Sequence, residues 1–231
     1  MNTIIFTNVL TEQGILEQPL PSARHMPEWY VNAKSYLSGK KEPSSEHNPN
    51  ATIKKCMPLF DMMTAGYVIT TPCDIYVQQN EKGTIFTWSD AKTGVAFQPI
   101  EQVQKHPFYS GVQNITRMVL PWSIKTPKGW SILLMGLSHR ESVFEVLPGI
   151  IDTDAYTSPT NTFFKLSNPL FEGLIPMGTP YAQIIPIKRE SWKSKLGGAK
   201  ELQEHKKINA QLSLTLFDRY KNLWWKRKEY K

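Results

Sequence analysis

The stretch from Thr126 to Asp154, TPKGWSILLMGLSHRESVFEVLPGIIDTD, sets the architecture. Two runs rich in β-branched and aromatic residues, GWSILLM and SVFEVL, are bounded by turn-forming residues and have the length of strands rather than helices. Thr126-Pro127-Lys128-Gly129 reads as a turn, because proline presets one central dihedral and glycine relieves the fourth position. The same rhythm continues on both sides, from Gly66 to about Ile187, through GYVITTPCDIYVQ, GTIFTWSD, TGVAFQPI, MVLPWSIKT, TNTFFKL and YAQIIPIK. Many short strands with frequent turns predict a barrel or a sandwich.

Beyond this block the pattern changes. Thr3–Val9 reads as a short strand. A helix is expected to start near Met26, with Pro27 at its first position and Trp29, Tyr30, Ala33 and Leu37 as its apolar stripe. Ser38–Asn50 is polar, contains Gly and Pro, and reads as a loop. After Trp192, Leu202, Ile208, Leu212, Leu216, Tyr220 and Leu223 recur at helical spacing, which predicts a helix from Ala199 to Trp225. Lys226, Arg227 and Lys228 follow at its negative pole. The expected organisation is an N-terminal strand, short helix and loop over 1–50, a β domain over 51–192, and a basic amphipathic helix over 193–231.

The composition narrows the function classes. A chain of 231 residues with 40% apolar content buries a sizeable core and is not a disordered protein. No apolar run approaches the ~20 residues of a membrane helix, and the opening MNTIIFTNVL lacks the basic start of a secretory signal. The expectation is a cytoplasmic protein without membrane insertion. Cys56 and Cys73 are too few for a disulfide framework, and His25, His47, His106, His139 and His205 are scattered, so no metal site is expected. The net charge is +7, and from Lys200 to Lys231 nine Lys or Arg face four Asp or Glu, so +5 of it sits in the C-terminal stretch.

Four segments carry the chemistry. Thr64-Ala65-Gly66-Tyr67 is a small-residue turn leading into a strand. Pro127-Lys128-Gly129-Trp130 is a proline-glycine hairpin followed by an aromatic residue. Pro148-Gly149-Ile150-Ile151-Asp152-Thr153-Asp154 is an acidic turn after a short apolar run. Gly178-Thr179-Pro180-Tyr181-Ala182-Gln183-Ile184-Ile185 is a glycine turn before Ala-Gln and an apolar strand. In order and spacing, over about Thr64 to Arg189, these segments resemble conserved blocks of the dUTPase and dCTP-deaminase superfamily. The chain also resembles a group of proteins common in bacteriophages that combines an IKTPKG turn, a G-I/V-I/V-D-T-D segment and an AQIIP-like strand. That second likeness points to a phage-type origin, hence to the host cytoplasm, and supplies no activity.

The superfamily resemblance implies a mainly β fold with appended helices: a dUTPase-like β-clip or distorted barrel over 51–192, followed by the C-terminal amphipathic α-helix. It assigns Asp152 as the carboxylate that activates water in an active enzyme, with Mg2+ on the phosphates as cofactor. It assigns Tyr156 to packing against the sugar and Gln183 to an amide contact with the nucleotide, both in one crevice with Asp152. Asp154 belongs to the same turn. The second block departs from the family pattern. Its place is taken by Gly136-Leu137-Ser138-His139-Arg140-Glu141-Ser142, where His139, Arg140 and Ser142 are the phosphate-binding candidates, since guanidinium grips phosphate in a bidentate way. Val68 stands where the first block carries an acid, Ala155 precedes the tyrosine of the third, and the glycine-rich closing tail is reduced to Gly197-Gly198.

These departures cluster on the triphosphate side, so the reading favours binding over hydrolysis. The expected partner is a nucleotide or a nucleotide-derived signal, held or sequestered by a homotrimer, the assembly the resemblance implies. The alternatives are a divergent nucleoside-triphosphate pyrophosphatase or pyrimidine deaminase using Asp152, and a structural or nucleic-acid-binding protein built on Trp224-Trp225 and the basic tail. For that tail the reading favours packing of the aromatics on the protein itself.

Overall fold

The computed structural model describes residues 2–9, 17–42, 50–81, 83–88, 95–109, 111, 115–214 and 217–231. In chain order the elements are β1 (Ile5–Asn8), β2 (Leu20–Pro21), α1 (Glu28–Asn32), α2 (Met57–Thr64), β3 (Tyr67–Thr70), β4 (Ile75–Asn80), β5 (Gly83–Trp88) and β6 (Val95–Phe97). There follow α3 (Ile100–Val103), β7 (Thr116–Val119), β8 (Trp122–Lys125), β9 (Trp130–Gly136), β10 (Phe144–Val146), β11 (Gly149–Ile151) and β12 (Asn161–Leu166). The last are β13 (Gly173–Ile175), β14 (Pro180–Lys188), α4 (Ala199–Leu214) and α5 (Arg219–Leu223). The protein is mainly β, with antiparallel sheets that do not close into a barrel among the described residues, and a C-terminal helix.

The strands divide into a five-stranded sheet β11-β9-β14-β3-β2, a four-stranded sheet β10-β12-β7-β6, a three-stranded sheet β13-β4-β5 and the pair β1-β8. The longest ladder joins β9 to β14 over seven residue pairs, from Ala182 opposite Gly136 to Lys188 opposite Trp130. Side chains alternate across a strand. Ile132, Leu134, Ala182 and Ile184 therefore enter the core with Ile69, and Ile151, opposite Ile132, packs against it. Phe164 lies at its centre, edge-to-face with Phe144 at 5.1 Å and with Phe86 at 6.1 Å.

Gly66 explains why the turn into β3 is made of small residues. It adopts φ +66°, and a Cβ there would fall 1.8 Å from the carbonyl oxygen of Ile184. The β3–β14 pairing brings two backbones closer than any side chain permits.

The chain forms two compact units: Met1–His25 with Gly66–Arg189 and Lys231, and Met26–Ala65 with Glu190–Tyr230. The second unit has its own aromatic row. Tyr30 packs on Phe60 at 6.2 Å and Phe60 on Trp225 at 6.3 Å, and the Trp225 indole N–H donates to both carboxylate oxygens of Asp61 at 3.0 Å. Lys228 pairs with the same carboxylate. The aromatic tail is thus packed, through the Trp225 ring and its N–H. Cys73 is buried and Cys56 exposed, and no disulfide joins them.

Two helices differ from expectation. α1 ends at Asn32 because Ala33 is extended (ψ +139°), so Tyr30 is buried while Trp29 is 42% and Leu37 69% exposed. The expected C-terminal helix breaks into α4 and α5. Asp218 stands between them at φ +48°, a left-handed conformation that no continuous α-helix holds, and pairs with Lys55 at 2.7 Å. Leu216 and residues 43–49 of the expected loop lie outside the described residues. No helix among the described residues is long and apolar enough to cross a membrane.

Gly66→Ala adds both left-handed strain and the clash with Ile184, and is expected to cost on the order of 3 kcal/mol in denaturant unfolding. Gly129 also has positive φ (+83°) but meets no atom within 4 Å. Gly129→Ala is expected to cost only the conformational strain, about 1–2 kcal/mol. Equal losses at the two positions would contradict the close-approach explanation.

Candidate functional site

The acidic turn that follows β11 is folded back on itself. The N–H groups of Ala155 and Tyr156 both donate to the Asp152 carbonyl, at 3.1 and 2.9 Å. Thr153 is buried and shares a 2.7 Å hydroxyl hydrogen bond with Thr126, which fastens the turn to the hairpin before β9. Both aspartates are engaged. Ser131 donates to Asp152 Oδ1 at 2.7 Å, and Arg189 Nη1 lies 3.0 Å from the same oxygen. Arg189 also grips Asp154 in bidentate fashion, Nη1 donating to Oδ1 at 2.8 Å and Nη2 to Oδ2. The Gly129 N–H completes the set, donating to Asp154 Oδ2 at 2.8 Å. The Asp154 side chain is 7% exposed and that of Asp152 61%.

This arrangement has electrostatic consequences. The Ser131 hydroxyl and then the Arg189 guanidinium hold the Asp152 carboxyl below the usual carboxylate range. Arg189 and then the Gly129 N–H do the same to Asp154, and the two carboxylates raise Arg189 in return. A carboxylate held this way is a weak base, whereas general-base chemistry works best with a value near the working pH. Arg189 is a site residue that motif reasoning misses. Its signal lies in the register: Lys188 opposite Trp130 sets Arg189 beside Gly129, and the Arg189 N–H donates to the Gly129 carbonyl at 2.8 Å.

Gln183 sits at the other end of the ladder, opposite Met135. It projects from the same side of the sheet as Asp152, whose partner Ser131 is four residues back along β9, roughly 13 Å away. Gln183 is fully buried, and its Oε1 accepts the Ser138 N–H at 3.2 Å. The loop after β9 is thereby pinned from below. His139 follows with φ +55° and an exposed side chain, and Arg140 turns back to donate from Nη2 to the Ser22 carbonyl at 3.1 Å. The Ser142 hydroxyl accepts the Phe144 N–H at 3.1 Å.

This loop borders a concavity of about 380 Å³. Leu137, Phe144, Val146 and Pro148 form its apolar wall, and Arg140, Ser142 and Glu145 are among its polar groups. Glu145 pairs with Lys165 at 3.2 Å. Burial first, and the positive Arg140 second, push the nearby His25 imidazole below its usual value, with Glu17 acting the other way. Of the seven candidate residues, Arg140 and Ser142 line this hollow. Asp152, Asp154, Tyr156, Gln183 and His139 do not. Tyr156 is half exposed on the acidic turn. Among the described residues no group of three or more His, Cys, Asp or Glu is placed to hold a metal ion.

No family model and no curated protein matches the chain. Solved structures of dUTPases are similar to it at low superposition. The native EIAV dUTPase has a TM-score of 0.29 at 14% identity, covering 57% of this chain and 95% of that one. The dUTPase from phage phi11 of S. aureus has 0.31 at 15% identity, covering 73% and 94%. A Staphylococcus bacteriophage 80alpha dUTPase mutant with dUpNHpp has 0.29 at 14% identity, covering 72% and 86%. A mutant of the phi11 dUTPase coordinates a structural Mg(II) ion. The likeness is one of fold.

The clamp's pH dependence follows from the direction of these shifts. Both carboxyls bind protons less readily in the folded chain than in the unfolded one, so their contribution is complete above about pH 4 and is lost as pH falls through the lower folded values. Arg189→Gln is expected to lower the thermal midpoint at pH 7, with the difference from wild type shrinking below about pH 4. A difference that persists unchanged in acid would show that Arg189 acts by packing alone.

Proposed function

We propose that the protein binds a nucleotide or nucleotide-derived molecule in the concavity beside Arg140 and does not hydrolyse it. The observation that carries this reading is the junction of an apolar wall with Arg140 and Ser142 in a hollow of about 380 Å³. Ligand sites of this kind have volumes of ~300–1,000 Å³, with few polar groups on a mostly apolar lining. In our reading the wall of Phe144 and Val146 takes the base or sugar, Arg140 and Ser142 take a phosphate, and Glu145 accepts from a base or ribose donor. Gln183 supports the loop from beneath. His139 stands on the same loop, outside the hollow.

Binding rather than turnover is supported by the state of Asp152. Its carboxylate is committed to Ser131 and Arg189, is lowered in basicity, and lies largely in solvent, away from the hollow. A hydrolase of the resembled type needs that carboxylate free beside Mg2+-bound phosphates. In a phage-encoded protein such a site would sequester a host nucleotide signal. We read the assembly as a homotrimer. The edge strand β11 of the five-stranded sheet, with Ile150 66% exposed, is a surface suited to burial against another copy. Light scattering tests that assembly; a monomer at all concentrations would contradict it.

Calorimetric titration of a panel of mono-, di-, tri- and cyclic nucleotides tests the binding site. At least one is expected to bind, with Arg140→Ala lowering affinity about 10- to 100-fold, the loss of charge-assisted hydrogen bonds. Asp152→Asn is expected to leave affinity within about twofold of wild type, the change being below ~0.4 kcal/mol, and no pyrophosphate is released with Mg2+ present. Absence of binding across the panel, or turnover abolished by Asp152→Asn, would overturn the proposal.

A further inference from the structure

Most of the chain's net positive charge is carried by the second unit. The second unit contains 15 Lys or Arg and nine Asp or Glu, so it carries +6 of the chain's +7. Several of its acids are already engaged. Asp61 is held by Trp225 and Lys228, Asp218 by Lys55 and Lys41, and Glu201 caps the Gly198 N–H at 2.8 Å. Lys193, Lys195, Lys200, Lys206 and Lys207 all have exposed side chains and form no ion pair among the described residues. Glu190 and Glu204 are the other acids of this stretch and offset part of the charge locally.

Among these lysines stands an aromatic ring. Trp192 is 88% exposed, in a segment without regular structure between β14 and α4, directly before Lys193 and three residues before Lys195. The tail tryptophan that would otherwise serve this purpose, Trp225, is committed to Phe60 and Asp61. Trp192 is thus a ring left in solvent beside exposed cations. Its segment is irregular and ends in Gly197-Gly198, so it lacks the continuous apolar helix face of a membrane-surface anchor.

We infer that residues 190–207 form a binding surface for single-stranded nucleic acid, with Trp192 stacked on an unpaired base and the five lysines on phosphates. Stacking on an aromatic ring contributes ~1–3 kcal/mol per base and does not depend on sequence. Only unpaired bases offer a free face, because duplex bases are stacked on one another. The lysines supply the salt-dependent part through counterion release.

The test uses the full-length protein and a fluorescein-labelled oligothymidylate of about 20 nucleotides, longer than the ~4–16 nucleotides that one such site covers, with anisotropy measured across a salt series. Wild type is expected to bind, with affinity falling steeply as salt rises. Trp192→Ala is expected to weaken binding about 5- to 150-fold with the salt slope unchanged. The double variant Lys193→Gln/Lys195→Gln is expected to reduce the log–log salt slope by about 1.4, or ~0.7 for each phosphate no longer neutralised. A duplex of equal length is expected to be indifferent to Trp192→Ala, and Arg140→Ala to leave binding unchanged, which separates this surface from the nucleotide site. Circular dichroism checks that each variant is folded. The inference is overturned if the oligonucleotide is not bound, if Trp192→Ala binds it as well as wild type does, or if the same residues instead mediate self-association in light scattering or binding only to vesicles containing phosphatidylserine.

Discussion

The ladder between β9 and β14 governs both ends of the first unit, because its seven pairs fix which residues meet at each. At one end Lys188 lies opposite Trp130, which sets Arg189 beside the Gly129 turn and within reach of Asp152 and Asp154. At the other, Gln183 lies opposite Met135 and below Ser138, where it accepts the N–H that fixes the loop bearing Arg140. A one-residue slip would turn Gln183 to the core side and bring Ile184 out, a change that burial strongly opposes. Gly66 serves the same ladder from its other flank, because only a residue without Cβ lets β3 approach the Ile184 carbonyl.

The two ends of the ladder differ in chemistry. The acidic turn is saturated: each aspartate has a hydrogen-bond donor and a share of one guanidinium. Such a cluster ties together the Pro127–Trp130 hairpin, the turn after β11 and the end of β14, firmly at neutral pH and less so in acid. The loop end is different in kind, since Arg140 and Ser142 border a hollow whose other side is an apolar wall. The proposed binding of a ligand without its turnover rests on this difference between the two ends.

Much of this was legible in the sequence. Among the described residues the expected runs from Gly66 to Ile187 contain strands, two of them splitting into β3 and β4 and into β7 and β8, while residues 89–90 of the GTIFTWSD run and 93–94 of the TGVAFQPI run lie outside the described residues. The loop of Arg140 and Ser142 was legible by its place between two strands. What was not legible came from pairings distant in sequence. Arg189 looks like an ordinary residue after a strand until the β9–β14 register is known. Gln183 looks like a ligand-binding amide until its complete burial and its Ser138 partner are seen. The break at Asp218 was hidden because apolar spacing continues across it, and a left-handed backbone leaves little trace in such spacing when the residue is not glycine. Trp192 is less conspicuous in the sequence than Trp224-Trp225, since exposure is decided by which ring finds Asp61.

Nucleotide binding beside Arg140 is checked best by mapping amide and imidazole chemical-shift changes in the isotope-labelled protein as its tightest nucleotide is added. The changes are expected to concentrate between Gly136 and Val146, with the His25 imidazole moving to a higher pKa as a phosphate offsets the charge of Arg140. Changes centred instead on Gly129, Asp152–Tyr156 and Arg189, with His25 unmoved, would place the ligand at the acidic turn and refute binding in the hollow.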